Sequence, residues 1–313
     1  MNHRRTRIAI GLVMAAVIAV TVAGCGFGAS PGSKDASIEV TSNFGTQVIG
    51  TASETHIPAA ETVIGLLTRH FNVGFGAGGR SVQSIDGRRA ATSSHLSWSY
   101  FVNGILAAKR ASLTDVFKGD HIWWDLHDTT ATSTVPAVVG SYPEPFTDGL
   151  GGQEFPTLLE CAPNLQRACD TVGSSLKKYG VKAGPQVLGT GSGSDSLAVV
   201  VGTWNDVKGV IAAELIAGGP SNSGVYAQFI GSSGQALELD NPLGDVAQTL
   251  RGNVGLIAAT DEVSLGAPTW FVIGTNTAAV NNAAKYFTVA ALHNHFAVAI
   301  TGSKVIPVPL TGR

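Results

Sequence analysis

The sequence predicts an α+β domain followed by an α/β domain, both behind an exported leader. Alternating β-branched segments at 37–41 and 47–51 give way to a helical period at 60–70, then to strand segments closed by Asp86-Gly87 and Asn103-Gly104. Beyond a proline-rich stretch, strand and helix alternate to the end of the chain.

The leader comes first in order. Residues 1–7 hold three arginines and no acid, and an apolar or small run follows from 8 to 22. These are the n-region and h-region of a secretory signal. A spanning helix needs about 20 apolar residues, and this run stops short at Ala23-Gly24-Cys25, which predicts cleavage. Val22-Ala23-Gly24-Cys25 resembles the lipobox of bacterial lipoproteins. That resemblance implies a signal peptide over 1–24 and lipid on Cys25, which would begin the mature chain. A simple secretory signal with an unrelated cysteine is the alternative. Residues 25–36 are rich in Gly, Ser and Pro without an apolar period, so they predict a flexible tether spanning about 18 Å.

From Cys25 onward the chain is 289 residues, a length that favours two domains. Charged residues make up 13%, against about 25% in a typical domain. Losing three arginines with the leader takes the net charge from −2 to −5. A weakly charged, mildly acidic surface speaks against nucleic acid as a partner, since that needs a basic stripe. With Cys25 lipidated, Cys161 and Cys169 remain as an even pair in an oxidising compartment, which predicts a disulfide, two separate buried thiols being the alternative.

In the first domain, over 37–148, two strands, a helix, a Gly-rich loop at 74–79 and further strands at 81–85, 96–102 and 121–126 follow one another. This is the order of a β-grasp (ubiquitin-like) fold. The Asp-Gly and Asn-Gly pairs are hairpin turns because both residue types tolerate positive φ. Four motifs carry a resemblance: Thr62-Val63-Ile64-Gly65-Leu66-Leu67, Val82-Gln83-Ser84-Ile85-Asp86-Gly87, Trp98-Ser99-Tyr100-Phe101-Val102-Asn103-Gly104 and Gly119-Asp120-His121-Ile122-Trp123-Trp124. Together they resemble the transcobalamin-like C-terminal β-grasp domain. The resemblance covers about a third of the chain and implies a soluble-ligand-binding domain, with a corrinoid (cobalamin) as precedent. The cobalamin carriers close their site with a large helical barrel, and no segment here has its length or periodicity.

Trp98, Tyr100, Trp123 and Trp124 concentrate aromatic area in a chain that is 7% aromatic. Partly exposed, they make a stacking platform for a planar ligand; fully buried, they fill a small sheet's core. Trp98, Tyr100 and Trp123 are the candidate ligand-binding residues. On the last strand, His121, Trp123, Asp125 and His127 share one face, an arrangement open to metal ligation or to a plain solvated face.

Three prolines in 135–146 predict a stiff, extended, packed connection. In the second domain, over 156–313, the pattern predicts a helix over 157–179 carrying the cysteine pair, then a buried strand at 197–201. Further helices are predicted at 204–217, near 243–250 and at 277–292, with strands at 225–230, 236–239, 254–258, 269–273 and 296–300. Val201-Gly202-Thr203 and Ile273-Gly274-Thr275 each head a helix and lead to a strand, which predicts repeated βαβ units, convergence on a common turn being the alternative. Such turns hold anions or simply cap helices. His293-Asn294-His295 ends the last helix, where the dipole favours histidine. No catalytic motif stands out.

These readings predict a membrane-anchored extracytoplasmic ligand-binding lipoprotein, handing a corrinoid to a membrane transporter of an uptake system. A cell-envelope adhesion or scaffolding module without a small ligand is the alternative, and an enzyme acting on envelope material ranks third.

Overall fold

The computed structural model describes residues 35–79, 81–261 and 267–312. The expected signal peptide, Cys25 and nearly all of the expected tether lie outside them.

The first half opens with β1 (Ala36–Ser42) and β2 (Gln47–Glu54), then α1 (Val63–His70). α1 starts later than its periodicity predicts because Ala60 has left-handed backbone, φ 60°. Thr62 caps it instead, its hydroxyl accepting from the Gly65 N–H. β3 (Val73–Phe75), β4 (Val82–Ile85) and β5 (Arg88–Arg89) form a small antiparallel sheet. β6 (Leu96–Val102), β7 (Ile105–Leu106) and β8 (His121–Asp128) complete a five-stranded sheet of order β2-β1-β8-β6-β7. Asp86 (φ 44°) and Asn103 (φ 55°) take the positive φ that their hairpin turns require.

One face of this sheet is covered by α1, whose Val63, Leu66 and Leu67 pack with Ile38, Val40, Ile122 and Trp124. The other face is buried too. Phe101 and Trp123 project from it, and with Phe44 they join a cluster that includes Tyr226 and Phe296 of the second half. Phe296 meets Phe44, Phe101 and Trp123 edge-on, with ring centroids 5.1, 5.7 and 5.5 Å apart. The halves therefore share one apolar core.

Asp125 lies at the centre of that shared face, fully buried. Its carboxylate accepts from Thr41 Oγ1 (2.5 Å), Phe44 N–H (3.1 Å) and Gly45 N–H (2.9 Å), and it pairs with His127 Nδ1 at 3.0 Å. Trp123 Nε1 donates to Thr41 Oγ1 at 2.8 Å and closes the network. A buried carboxylate is tolerated only with its lone pairs filled, so the network fixes the 43–46 turn and with it Phe44.

The second half is a seven-stranded sheet of order β10-β9-β11-β16-β15-β17-β18 with a separate three-stranded sheet, β12-β13-β14. The strands are β9 (Thr157–Cys161), β10 (Ala183–Gln186), β11 (Leu197–Thr203), β12 (Ala227–Ile230), β13 (Ala236–Asp240), β14 (Val246–Arg251), β15 (Val254–Thr260), β16 (Thr269–Gly274), β17 (Ala297–Thr301) and β18 (Lys304–Val308). Helices α2 (Gln166–Lys177), α6 (Thr277–Ala283) and α7 (Val289–Leu292) cover one face. Helices α3 (Trp204–Val207) and α4 (Ile211–Ala217) lie on the other, with α5 (Pro220–Ser223) leading into the small sheet. Both edge strands carry a proline, Pro185 in β10 and Pro307 in β18. The proline-rich connection is packed, with Val138, Val139, Tyr142 and Phe146 all buried.

Three expectations are corrected. Residues 157–179 are not one helix: Pro163 separates β9, parallel to β11, from α2. Cys161 at the end of β9 and Cys169 in α2 are bonded, with Cα atoms 6.1 Å apart. Residues 246–251 form strand β14 because Gly244 (φ 84°) and the Asn241 side chain, which accepts from Leu243 and Asp245 N–H, build a turn. The βαβ copies diverge: β16 and β17 flank β15 in one sheet, whereas the strand after β11, β12, belongs to the small sheet.

Replacing Asp125 by Ala should leave the Phe44 and Gly45 N–H groups buried and unpaired, costing about 3 kcal/mol or more. A urea titration should show a lower midpoint for the variant, and an unchanged midpoint would refute the hub.

Candidate functional site

Strand alternation divides the predicted aromatic platform. Register pairs Tyr100 with Trp124 and Trp98 with Leu126, while Phe101 pairs with Trp123. Trp98 and Tyr100 thus face α1, and Trp123 faces the second half. Trp123 is fully buried and belongs to the shared core, so as a candidate ligand contact it is corrected. Trp124 takes its place beside Tyr100, stacked at 4.7 Å and 23°.

Around that face lies a cavity of about 190 Å³, walled by Trp98, Tyr100, Trp124, Phe75 and Ile64, with Arg110 exposed at its margin. Its floor is rigid because the Tyr100 hydroxyl bonds Lys109 O at 2.5 Å and Thr114 Oγ1 at 2.9 Å. Burial pushes the Tyr100 phenol above its usual range, so it stays neutral. The indole Nε1 atoms of Trp98 and Trp124 are both buried without a hydrogen-bond partner. The cavity itself is bounded mostly by rings and aliphatic side chains, a lining that suits a planar apolar group. Phe75, 45% exposed, stands at the rim. Sequence reading counted Trp124 among the aromatics but left it out of the candidate trio, and it missed Phe75 and Arg110; the alternation of β8 signalled Trp124, and nothing local signalled the other two.

The face proposed for metal ligation is used otherwise. Asp125 and His127 are consumed by the buried network, and His127 packs between Phe44 and Phe296. His121 instead meets residues far away in sequence. Glu39 Oε2 lies 3.8 Å from His121 Nε2 and 3.9 Å from His293 Nε2. Glu39 Oε1 accepts from Asn294 Nδ2 at 2.5 Å, and His121 Nδ1 contacts Ser141 Oγ at 2.9 Å. Burial alone would raise the Glu39 carboxyl, but His121, Asn294 and His293 outweigh it and hold it below its usual range.

A larger groove of about 660 Å³ runs between α2 and the 284–288 segment. Its charged walls, Arg167, Asp170, Lys178 and Lys285, are exposed side chains of both signs.

At the turn entering β8, Asp120 is buried, accepting from Phe117 N–H and Asn103 Nδ2. Burial pushes its carboxyl up to about 6. Burial, with Glu238 and Asp245, pushes Asp240 up to about 6 as well.

Residues 60–128, which contain the whole cavity wall, match the family described as "Domain of unknown function (DUF4430)". A crystal structure described as that of a "putative metal binding protein" from Ruminococcus gnavus is similar to part of the chain. It is 20% identical over 30% of this chain and 97% of that chain, with a TM-score of 0.26. No curated protein matches the chain.

Carboxyls that bind protons more tightly when folded stabilise the fold below their unfolded values and lose that contribution as pH rises through their folded ones. From Asp120 and Asp240, stability should therefore fall between about pH 4 and pH 7, on the order of 2 kcal/mol for Asp120. Thermal melts across that range should show a shallower fall for Asp120→Asn, and an equal slope would contradict the assignment.

Proposed function

We propose that this is a membrane-anchored extracytoplasmic ligand-binding lipoprotein, with lipid on Cys25 and a β-grasp domain of the transcobalamin-like kind. The ligand site is the aromatic cavity. The aromatic walls of that cavity carry this reading, because the rings of Trp98, Tyr100 and Trp124 offer faces and edges to a planar ligand, Tyr100 and Trp124 being already stacked at 4.7 Å. At about 190 Å³ the cavity is smaller than the roughly 300 Å³ at which small-molecule pockets usually begin. It holds one ring or one amide-bearing edge of a ligand, and a corrinoid would present such an edge to it. A short tether then keeps the site close to a membrane transporter.

A cell-envelope adhesion or scaffolding module without a small ligand is the second reading. The observation favouring it is the burial of Tyr100 and Trp124, at 9% and 3% exposure.

Calorimetric titration of the full chain in detergent with cobalamin and cobinamide separates the two. Binding is expected, with Trp98→Ala weakening it about tenfold through loss of an aromatic wall. No heat and no thermal shift with either corrinoid would remove the corrinoid, and unchanged binding by the variant would remove the cavity. For the anchor, Cys25→Ser should move the chain from the membrane fraction to the soluble fraction; retention on the membrane would refute lipidation.

A further inference from the structure

We propose that Glu39, His121 and His293 form a binding site for a divalent transition-metal cation of the zinc class, clamping the two halves of the chain together. The site lies on the opposite side of the five-stranded sheet from the aromatic cavity, so it stands independently of the reading above.

The argument begins with spacing. The same carboxylate oxygen, Glu39 Oε2, faces His121 Nε2 at 3.8 Å and His293 Nε2 at 3.9 Å. Both separations are too long for a hydrogen bond. Ligand atoms about 2.0–2.1 Å from a tetrahedral ion stand roughly 3.4 Å from each other, so a contraction of about half an ångström on each side would seat one.

The supports are already built. Ligating histidines hold their second ring nitrogen on a polar partner, which sets the tautomer. His121 Nδ1 has Ser141 Oγ at 2.9 Å, leaving Nε2 directed at Glu39. Ligating carboxylates are likewise held by a further donor, and Asn294 Nδ2 fills that place on Glu39 Oε1 at 2.5 Å. Asn294 has left-handed backbone, φ 59°, which turns its side chain inward next to His293.

Exposure grades across the site. The side chains of Glu39, His121 and His293 are 6%, 17% and 44% exposed. Among the described residues no three His, Cys, Asp or Glu side chains are already drawn up as an ion would hold them. The most exposed ligand, His293, supplies the missing movement: its ring swings in when the ion arrives. Two imidazoles and one carboxylate select zinc-like ions over magnesium or calcium, which prefer oxygen, and water would fill the open fourth position.

The ligands come from β1, β8 and the turn between α7 and β17. A bound ion would therefore stabilise the junction between the halves in addition to their apolar core.

The test is calorimetric titration of the full chain, stripped with EDTA in detergent, with zinc chloride and separately with magnesium chloride. One zinc per chain is expected, with a rise in melting temperature and no response to magnesium. His293→Ala, at an exposed position that should fold, and Glu39→Gln should each weaken binding at least tenfold. His56→Ala, an exposed histidine elsewhere, should change nothing. X-ray absorption of the zinc-loaded chain should show two imidazoles on the ion. The proposal is overturned by absence of zinc binding, by equal affinity for magnesium, or by binding that His293→Ala leaves intact or His56→Ala also weakens.

Discussion

Asp125 must have its charge satisfied where no water reaches it, and the arrangement of the first half follows from how that is done. Four of its partners, Thr41, Phe44, Gly45 and His127, come from β1, the turn after it and β8 itself. Their convergence positions Phe44, and Phe44 together with Trp123 and Phe101 is what the second half packs against. Gly45 shows how close the approach is: a Cβ there would stand 1.9 Å from Asn294 O. The network is thus a register mark as well as a polar core, since a slip of one residue would bury unpaired groups.

A sheet buried on both faces changes what its aromatics can do. The face towards α1 retains a small cavity and two unpartnered indole donors, while the face towards the second half is consumed by ring-on-ring packing. At the boundary of that second face, where apolar packing gives way to solvent, Glu39, His121 and His293 meet. Packing and chemistry are separated by sheet face in the first case and by depth in the second.

Local signals in the sequence carried the elements well. Alternation, helical period and the turn chemistry of Asp86-Gly87 and Asn103-Gly104 placed β1, α1, β6 and β8 close to where they lie. The errors arose where context overrides the local pattern. Residues 157–161 are equally apolar as helix or strand, and their pairing with β10 and β11 decides. The Trp98, Tyr100 and Trp123 set failed at Trp123 because strand register across β6 and β8 is a pairing fact that no single segment contains. Glu39 and Asn294 are 255 positions apart, so no pattern in the chain signals their contact. The disulfide was legible because the expectation of an exported chain, with Cys25 set aside, left Cys161 and Cys169 as an even pair, an argument that needs no geometry.

The two prolines at the ends of the large sheet have a consequence for how copies of the chain can meet. A strand at a sheet margin offers open amide and carbonyl groups to any neighbouring copy. Pro185 and Pro307 each remove one of those donors, on opposite margins. Two copies meeting edge to edge would then find the ladder interrupted at either margin.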